Sequence, residues 1–205
     1  MKTKYLFLAT LIAMLPLSSC SDSSDDAVEV IQQAVKTQTI DARDYSKWVY
    51  FSFSKGEIVN IPNNDYQNNL NWDIAFHRND VRLNGGLSGN GTAAALTAAT
   101  TEFANVTEAP ESGYKEDVMK SILVKFQLPV PLFEEQPAST EIDWMSVDTS
   151  TPPPVYTLYN KVFIVKTANG KYVKLKFKSY LSDLNETMVI KFDYVYQADG
   201  SRNLK

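Results

Sequence analysis

The sequence predicts a mostly β chain folded as a single antiparallel domain with very little helix. Three observations support this. Apolar and polar residues alternate with the period of two that sends successive side chains to opposite faces of a strand, most plainly in Y-V-K-L-K-F-K-S-Y (172–180) and T-M-V-I-K-F-D-Y-V-Y-Q (187–197). Asn169-Gly170 lies ahead of the first of these runs, and such a dipeptide favours the positive backbone angles of a two-residue hairpin turn. Aromatic residues make up 12% of the chain, and their rings suit a half-buried pleated surface.

The N-terminal residues stand apart from that fold. Lys2 and Lys4 give a positive start, Tyr5 to Leu15 an apolar core, and the segment is short for a bilayer span, so 1–19 reads as an export signal peptide. It runs into L-S-S-C at Cys20, a pattern that resembles a bacterial lipobox, in which the cysteine is lipidated and becomes the new N-terminus. Cys20 is the only cysteine, which excludes an intramolecular disulfide. S-D-S-S-D-D follows, polar, acidic and too poor in apolar groups to fold, so 20–40 reads as the lipidated cysteine and a flexible tether. Acidic residues directly behind such a cysteine resemble the surface-export signal of Bacteroidetes lipoproteins. The resemblance implies a lipid-anchored protein of the outer membrane, exposed at the cell surface. Acyl chains contribute about 0.8 kcal/mol per buried methylene, so the expected contact with the membrane is the anchor alone.

Residues 41–205 form the expected single domain. K-W-V-Y-F-S-F (47–53), the turn S-K-G-E and Ile58 to Ile61 make a hairpin, closed by Pro62. Next comes N-W-D-I-A-F-H-R-N-D-V-R-L-N-G-G-L-S-G-N-G (71–91), which holds the only histidine. Alternation sets Trp72, Ile74 and Phe76 on one face and Asp73, Ala75 and His77 on the other, and the glycine-rich end is expected to be a flexible loop. T-A-A-A-L-T-A-A-T-T (92–101) suits a short helix by composition, although its threonines and narrow apolar stripe argue against one. Ser121 to Leu128 reads as a strand that Pro129 and Pro131 stop. The segment from Leu132 to Pro154 reads as irregular, and so long a stretch without regular structure is more often functional than idle. Tyr156 to Lys166 and Tyr172 to Tyr180 form a hairpin, with Val173, Leu175 and Phe177 in the core and Lys174, Lys176 and Lys178 in water. Thr187 to Gln197 closes a meander of curled or packed sheets, with Met188, Ile190, Phe192, Tyr194 and Tyr196 on one face.

Function is bounded first by charge. A net charge of −4 and a pI near 5.1 argue against nucleic acid as a partner, which would want a dense basic face. There is no G-x-S-x-G elbow, no phosphate loop and no histidine cluster with metal spacing, so the chain is not expected to be an enzyme. Loop carboxylates such as Glu134, Glu135, Glu141 and Asp143 read as solvated. A hydrolase with two distant carboxylates remains open, though nothing in the spacing favours it.

W-D-I-A-F-H-R-N-D-V-R-L-N (72–84) with the glycine segment behind it, the hairpin Y-T-L-Y-N-K-V-F-I-V-K-T-A-N-G-K-Y-V-K-L-K-F (156–177) and the closing F-D-Y-V-Y-Q (192–197) together resemble the HmuY family of Bacteroidetes haem-binding lipoproteins. The resemblance runs over roughly 48–197 and agrees with the lipobox. It implies an almost entirely β structure and a haemophore, which takes haem b from host haemoproteins and passes it to an outer-membrane TonB-dependent receptor. Some members of that family hold the iron between two histidines and others between two methionines. This chain has one histidine and cannot supply the first arrangement. His77 lies within the family's strand motif and is implied to be scaffold.

The resemblance therefore points to Met119, in E-D-V-M-K, and Met145, in I-D-W-M-S, as axial ligands in the family's two ligand-bearing connections. Thioether sulfur is a soft neutral ligand known to hold haem iron. Trp144, Phe133 and Val118 are candidate walls, and Lys120 and Lys115 candidate partners for the propionates. His77 with one methionine is the competing arrangement, while Met188 belongs to the aromatic face of the last strand, where it fills the core. A second reading keeps the scaffold without haem, as an adhesion or glycan-binding lipoprotein that stacks sugars on exposed tyrosines and Trp144.

Overall fold

The computed structural model describes residues 33–205, so the signal peptide, Cys20 and most of the expected tether lie outside the described residues. The strands in chain order are β1 (Lys36–Asp41), β2 (Val49–Ser52), β3 (Glu57–Val59), β4 (Ile74–His77), β5 (Asp80–Leu83), β6 (Ala94–Thr97) and β7 (Val118–Lys125). They continue with β8 (Leu132–Ala138), β9 (Met145–Asp148), β10 (Val155–Leu158), β11 (Phe163–Lys166), β12 (Tyr172–Leu181) and β13 (Thr187–Gln197). Helix among the described residues is confined to single 3-10 turns at Pro62–Asn64, Gly86–Ser88 and Phe103–Asn105. The fold is thus mostly β, and all its strand pairs are antiparallel.

Two sheets make the body. One has five strands in the order β1-β13-β12-β11-β6, the other four in the order β3-β2-β4-β5. Alternation sends Val173, Leu175 and Phe177 of β12 and Ile190, Phe192 and Tyr194 of β13 inward, where they meet Phe51, Ile74, Phe76 and Leu83 of the second sheet. The rings interlock in offset and edge-on geometries, Phe192 lying 5.7 Å from Phe51 at 89° and 5.5 Å from Phe76 at 28°. Met188 sits in the same cluster, fully buried, as its place in the pattern requires. Two separate hairpins, β7–β8 and β9–β10, complete the architecture.

Several local expectations are corrected. The fold reaches back into the stretch read as tether, because β1 pairs with β13 from Lys36↔Tyr194 to Asp41↔Val189. Only Ile40 of β1 is buried, so its strand character comes from the open edge of β13 and left little trace in its own pattern. The alanine-rich segment is not helical, since β6 pairs with β11 from Thr97↔Phe163 to Ala94↔Lys166. Leu132 to Pro154 is not irregular throughout, for it contains β8 and β9. The stretch 156–166 is two elements, β10 and β11, divided where Tyr159 N–H turns to the Trp144 carbonyl at 2.8 Å.

Two faces also differ from expectation. Trp72 does not share the face of Ile74 and Phe76 but packs with Tyr50, Val59 and Ala75 on the other side of the sheet. The chain bends at Asp73, whose carboxylate accepts the N–H of Phe53 (2.8 Å) and of Ala168 (3.2 Å), so the regular strand begins only at Ile74. Lys174 is not in water, because the segment around Phe103–Val106 covers that side of β12 and takes its ammonium on the carbonyls of Phe103 and Val106.

The glycine segment, expected to be a flexible loop, is pinned. A Cβ on Gly85 would strike the backbone of Ala93, one on Gly91 the backbone of Asn84, and buried Asn84 donates to the carbonyls of Asn69 and Trp72. Glycine serves close approach here more than mobility.

If β1 belongs to the domain, a chain beginning at Ala42 will be less stable than one beginning at Gln33. Losing buried Ile40 alone corresponds to roughly 2–5 kcal/mol. Urea unfolding followed by tryptophan fluorescence measures the difference.

Candidate functional site

Soluble domains rarely leave many large apolar side chains in water together. Of the thirteen large hydrophobic residues exposed among the described ones, seven lie between Val118 and Phe133, on β7–β8 and its connection. The cross-strand register sorts them. Met119↔Pro137, Ser121↔Glu135 and Leu123↔Phe133 share one face of the hairpin, which looks outward, while Lys120↔Gln136 and Ile122↔Glu134 share the other. Met119 is 51% exposed on the outward face, with Phe133 at 54%.

The inner face is tied to the four-stranded sheet. Ile122 is fully buried, Lys120 Nζ lies 2.7 Å from Asp80 Oδ1, Arg82 Nε donates to the Pro137 carbonyl at 2.8 Å, and Trp48 Nε1 donates to Gln136 Oε1 at 2.9 Å. Beyond the strands the connection reaches Tyr45, against which the Phe126 ring stacks at 6.2 Å.

The second expected ligand lies differently. Met145 opens β9 opposite Leu158 and is only 5% exposed. Trp144 beside it is buried, stacked on Phe177 at 4.4 Å and 19°, and donates Nε1–H to the Asn79 carbonyl at 2.9 Å. Both methionines were expected in connections, yet both are in strands, because backbone pairing and not their own pattern makes β7 and β9. Their strands reach the same end of the molecule, where Lys120 meets Asp80 and Trp144 meets Asn79 across the β4–β5 turn. Lys120, Trp144 and Met145 line one cavity there, of about 200 Å3, and Met119 is not among its walls.

Haem demands more room than this, since pockets for drug-sized ligands begin at about 300 Å3. The donor chemistry and the apolar outward face of the hairpin fit haem, but pairing Met119 with Met145 requires that Met145 be uncovered. The expected walls divide accordingly. Phe133 and Val118 are available, whereas buried Trp144 is closed both to haem and to a stacked sugar. Neither lysine is free for a propionate, because Lys115 pairs with Glu141 at 2.7 Å and Lys120 with Asp80.

His77 is 1% exposed on the outer side of β4. Its Nε2–H donates to the Tyr45 carbonyl at 2.7 Å, its ring lies 5.2 Å from Trp48, and Nδ1 has no partner among the described residues. The imidazole secures the chain at Tyr45, beneath Trp48.

Sequence reasoning missed two things. The near-continuous apolar run S-I-L-V-K-F-Q-L-P-V-P-L-F (121–133) does not alternate and by pattern reads as covered on both faces, so only the structure shows that much of it lies in water. Arg82 was not singled out, yet it is fully buried.

The fold and this surface define a β-sandwich binding module with an apolar hairpin presented to a ligand. The model of the HmuY protein family matches residues 44–194, and the chain belongs to that family. It is similar over 79% of its length to a protein of Bacteroides vulgatus described as HmuY-like and haem-binding, with 31% identity, 91% of that chain covered and a TM-score of 0.66. It is also similar to the apo HmuY analogue of Tannerella forsythia (26% identity, 82% of this chain and 98% of the other, TM-score 0.65). A lipoprotein of Bacteroides fragilis shares the fold at 24% identity, over 79% of this chain and 89% of the other, with a TM-score of 0.65. No curated protein matches the chain. Family membership supports a function of the haem-binding type, in a family of binding proteins.

Asp117, two residues before Met119, ties this region to the glycine segment by accepting from Ser88 Oγ (2.5 Å) and Leu83 N–H (2.8 Å). Burial nevertheless pushes its carboxyl up to about 6. The folded state therefore holds this proton more tightly than the unfolded chain, a contribution fully present below about pH 4 and lost as pH rises through about 6. Between pH 7.5 and pH 5.0 the native protein will gain about 1 kcal/mol relative to Asp117→Asn. Denaturation curves of both proteins at the two pH values check the sign.

Proposed function

We propose that this chain is a haemophore, a surface lipoprotein that captures haem b through Met119 and Met145 and passes it to an outer-membrane TonB-dependent receptor, with no catalysis of its own. Cys20, outside the described residues, carries the lipid anchor in this reading. The observation that carries the proposal is the concentration of exposed apolar side chains on the β7–β8 hairpin, which also bears an exposed thioether. Family membership supplies the class of ligand.

On this reading haem is cargo. Phe133 and Leu123, on the same face of the hairpin as Met119, offer it apolar contact, and Met119 meets the iron first because its side chain is exposed. Met145 becomes a ligand once the contacts around Trp144 open. Two neutral thioethers favour ferrous iron and bind without losing a proton. Host haemoproteins are the proposed source, and the exposed hairpin is the surface that meets them.

Haemin titration of the mature chain will give a saturable one-to-one Soret change that sharpens with dithionite. Met119→Ala combined with Met145→Ala will abolish it, while His77→Gln will retain it. An unchanged spectrum in the double methionine variant rules the ligand pair out.

Affinity will also stay nearly flat between pH 7 and pH 5 while circular dichroism shows the fold intact, since thioethers do not titrate there. A steep loss near pH 6.5 would mark a histidine ligand instead.

A further inference from the structure

The outer side of the four-stranded sheet holds a second cleft whose walls do not include Met119 or Met145. Its volume is about 680 Å3, and it opens between the β2–β3 hairpin, the chain at Asn60–Tyr66 and Gln136 of β8. That size lies within the range of small-molecule sites, about 300–1,000 Å3.

Arg82 reaches it from β5. Its guanidinium lies between two aromatic faces, 3.9 Å from the Trp48 ring centroid and 4.4 Å from that of Tyr66. Nε donates to the Pro137 carbonyl at 2.8 Å and Nη2 to Gln136 Oε1 at 3.0 Å. Every one of these partners is neutral. Among the described residues no carboxylate lies within ion-pair distance of Arg82, and Asp117 acts on it only from farther away. A buried charge normally has a counter-charge, because desolvation otherwise opposes it.

Tyr50 lines the same cleft and is 7% exposed, and its hydroxyl has no hydrogen-bond partner among the described residues. Burial outweighs the Arg82 guanidinium beside it and pushes the phenol up to about 12, so at neutral pH it keeps its proton, for which no acceptor lies within hydrogen-bond distance among the described residues. Leaving such a donor unmet costs about 1–3 kcal/mol. An unpaired cation and an unmet donor on one cleft both call for the same missing group, an oxyanion.

We propose that this cleft binds a small sugar acid, whose carboxylate is received by Arg82 and the Tyr50 hydroxyl. One buried positive charge matches a monoanion better than a phosphate dianion, because the other cation lining the cleft, Lys47, already pairs with Asp44 at 3.3 Å. The rest of the wall mixes Ile58 and Ile61 with the amides of Asn60 and Asn64, which suits a hydroxylated ring better than a wholly apolar body. Both aromatic rings nearest Arg82 are occupied by its guanidinium, so recognition rests on the carboxylate and the amides.

Calorimetric titration of the full mature chain with glucuronate and N-acetylneuraminate, against glucose and inorganic phosphate, tests this. Saturable binding of at least one acid is expected, about tenfold or more tighter than glucose or phosphate. Tyr50→Phe keeps the ring and removes only the hydroxyl. It will weaken acid binding about tenfold while circular dichroism stays as in the native chain and the melting temperature does not fall, since the change removes an unmet buried hydroxyl. Arg82→Gln will abolish binding if it folds, and Tyr50→Phe decides the matter if it does not. The proposal is overturned by no saturable binding of either acid up to about 10 mM, by phosphate or glucose binding as tightly as the acids, or by Tyr50→Phe binding them unchanged.

Discussion

The candidate site depends on one constraint, that strands β2, β4 and β5 are buried on both faces. Their inner face meets the aromatic side chains of β12 and β13 and needs no polar partners. Their outer face carries Tyr50, His77, Asp80 and Arg82, all shielded from water, and each polar group there must find a partner or oppose folding. Asp80 finds Lys120, Arg82 finds Pro137 and Gln136, and His77 finds the Tyr45 carbonyl. Most of these partners belong to the β7–β8 hairpin. The hairpin that exposes Met119 is therefore placed by the polar demands of the sheet beneath it.

Legibility followed the same division. Where a strand has one dry face and one wetter face, alternation reads it directly, as in β13 from Met188 to Tyr194. Where both faces are covered, the pattern misleads. Lys174 and Arg82 look like outward charges because alternation separates polar from apolar residues but does not say whether the polar side meets water or protein. The bend at Asp73 was hidden for a related reason, since a carboxylate replacing a ladder partner leaves the letters W-D-I-A-F still alternating. Short strands that borrow their order from a neighbour's edge, β1 and β8 among them, carry almost no signal of their own. The family resemblance rested on long motifs and held, whereas the resemblance gave the two methionines no depth. Only the structure distinguishes the one in water from the one beside Trp144.

That difference bears on how the proposed carrier works. An exposed Met119 amid apolar side chains suits first contact with a flat hydrophobic ligand. A buried Met145 suits retention, because its engagement needs contacts around Trp144 to open and its release lets them close again. Thioethers add no charge and no proton to either step. Binding that needs a conformational change is weakened by the cost of that change, a useful property in a protein that must also give its cargo up.

The hairpin that bears Met119 is held by a short set of contacts. Its attachment includes the Lys120–Asp80 pair at a partly exposed position, neutral hydrogen bonds from Arg82 and Trp48, the Phe126–Tyr45 stack and two fully buried aliphatic side chains, Ile122 and Ala138. Half-exposed ion pairs contribute at most about 1 kcal/mol, neutral hydrogen bonds about 1 kcal/mol each, and a buried isoleucine about 1.5–3 kcal/mol. The core strands are tied in by interlocked rings from both sheets, so lifting β7–β8 disturbs far less than unfolding the sandwich does. Gln136 stands at the centre of this attachment, with Oε1 accepting from both Trp48 and Arg82 and Nε2 donating to Glu134. A hairpin held by a few shared bonds and two buried aliphatic side chains is tied less firmly than the ring-packed core strands, and it carries the exposed methionine.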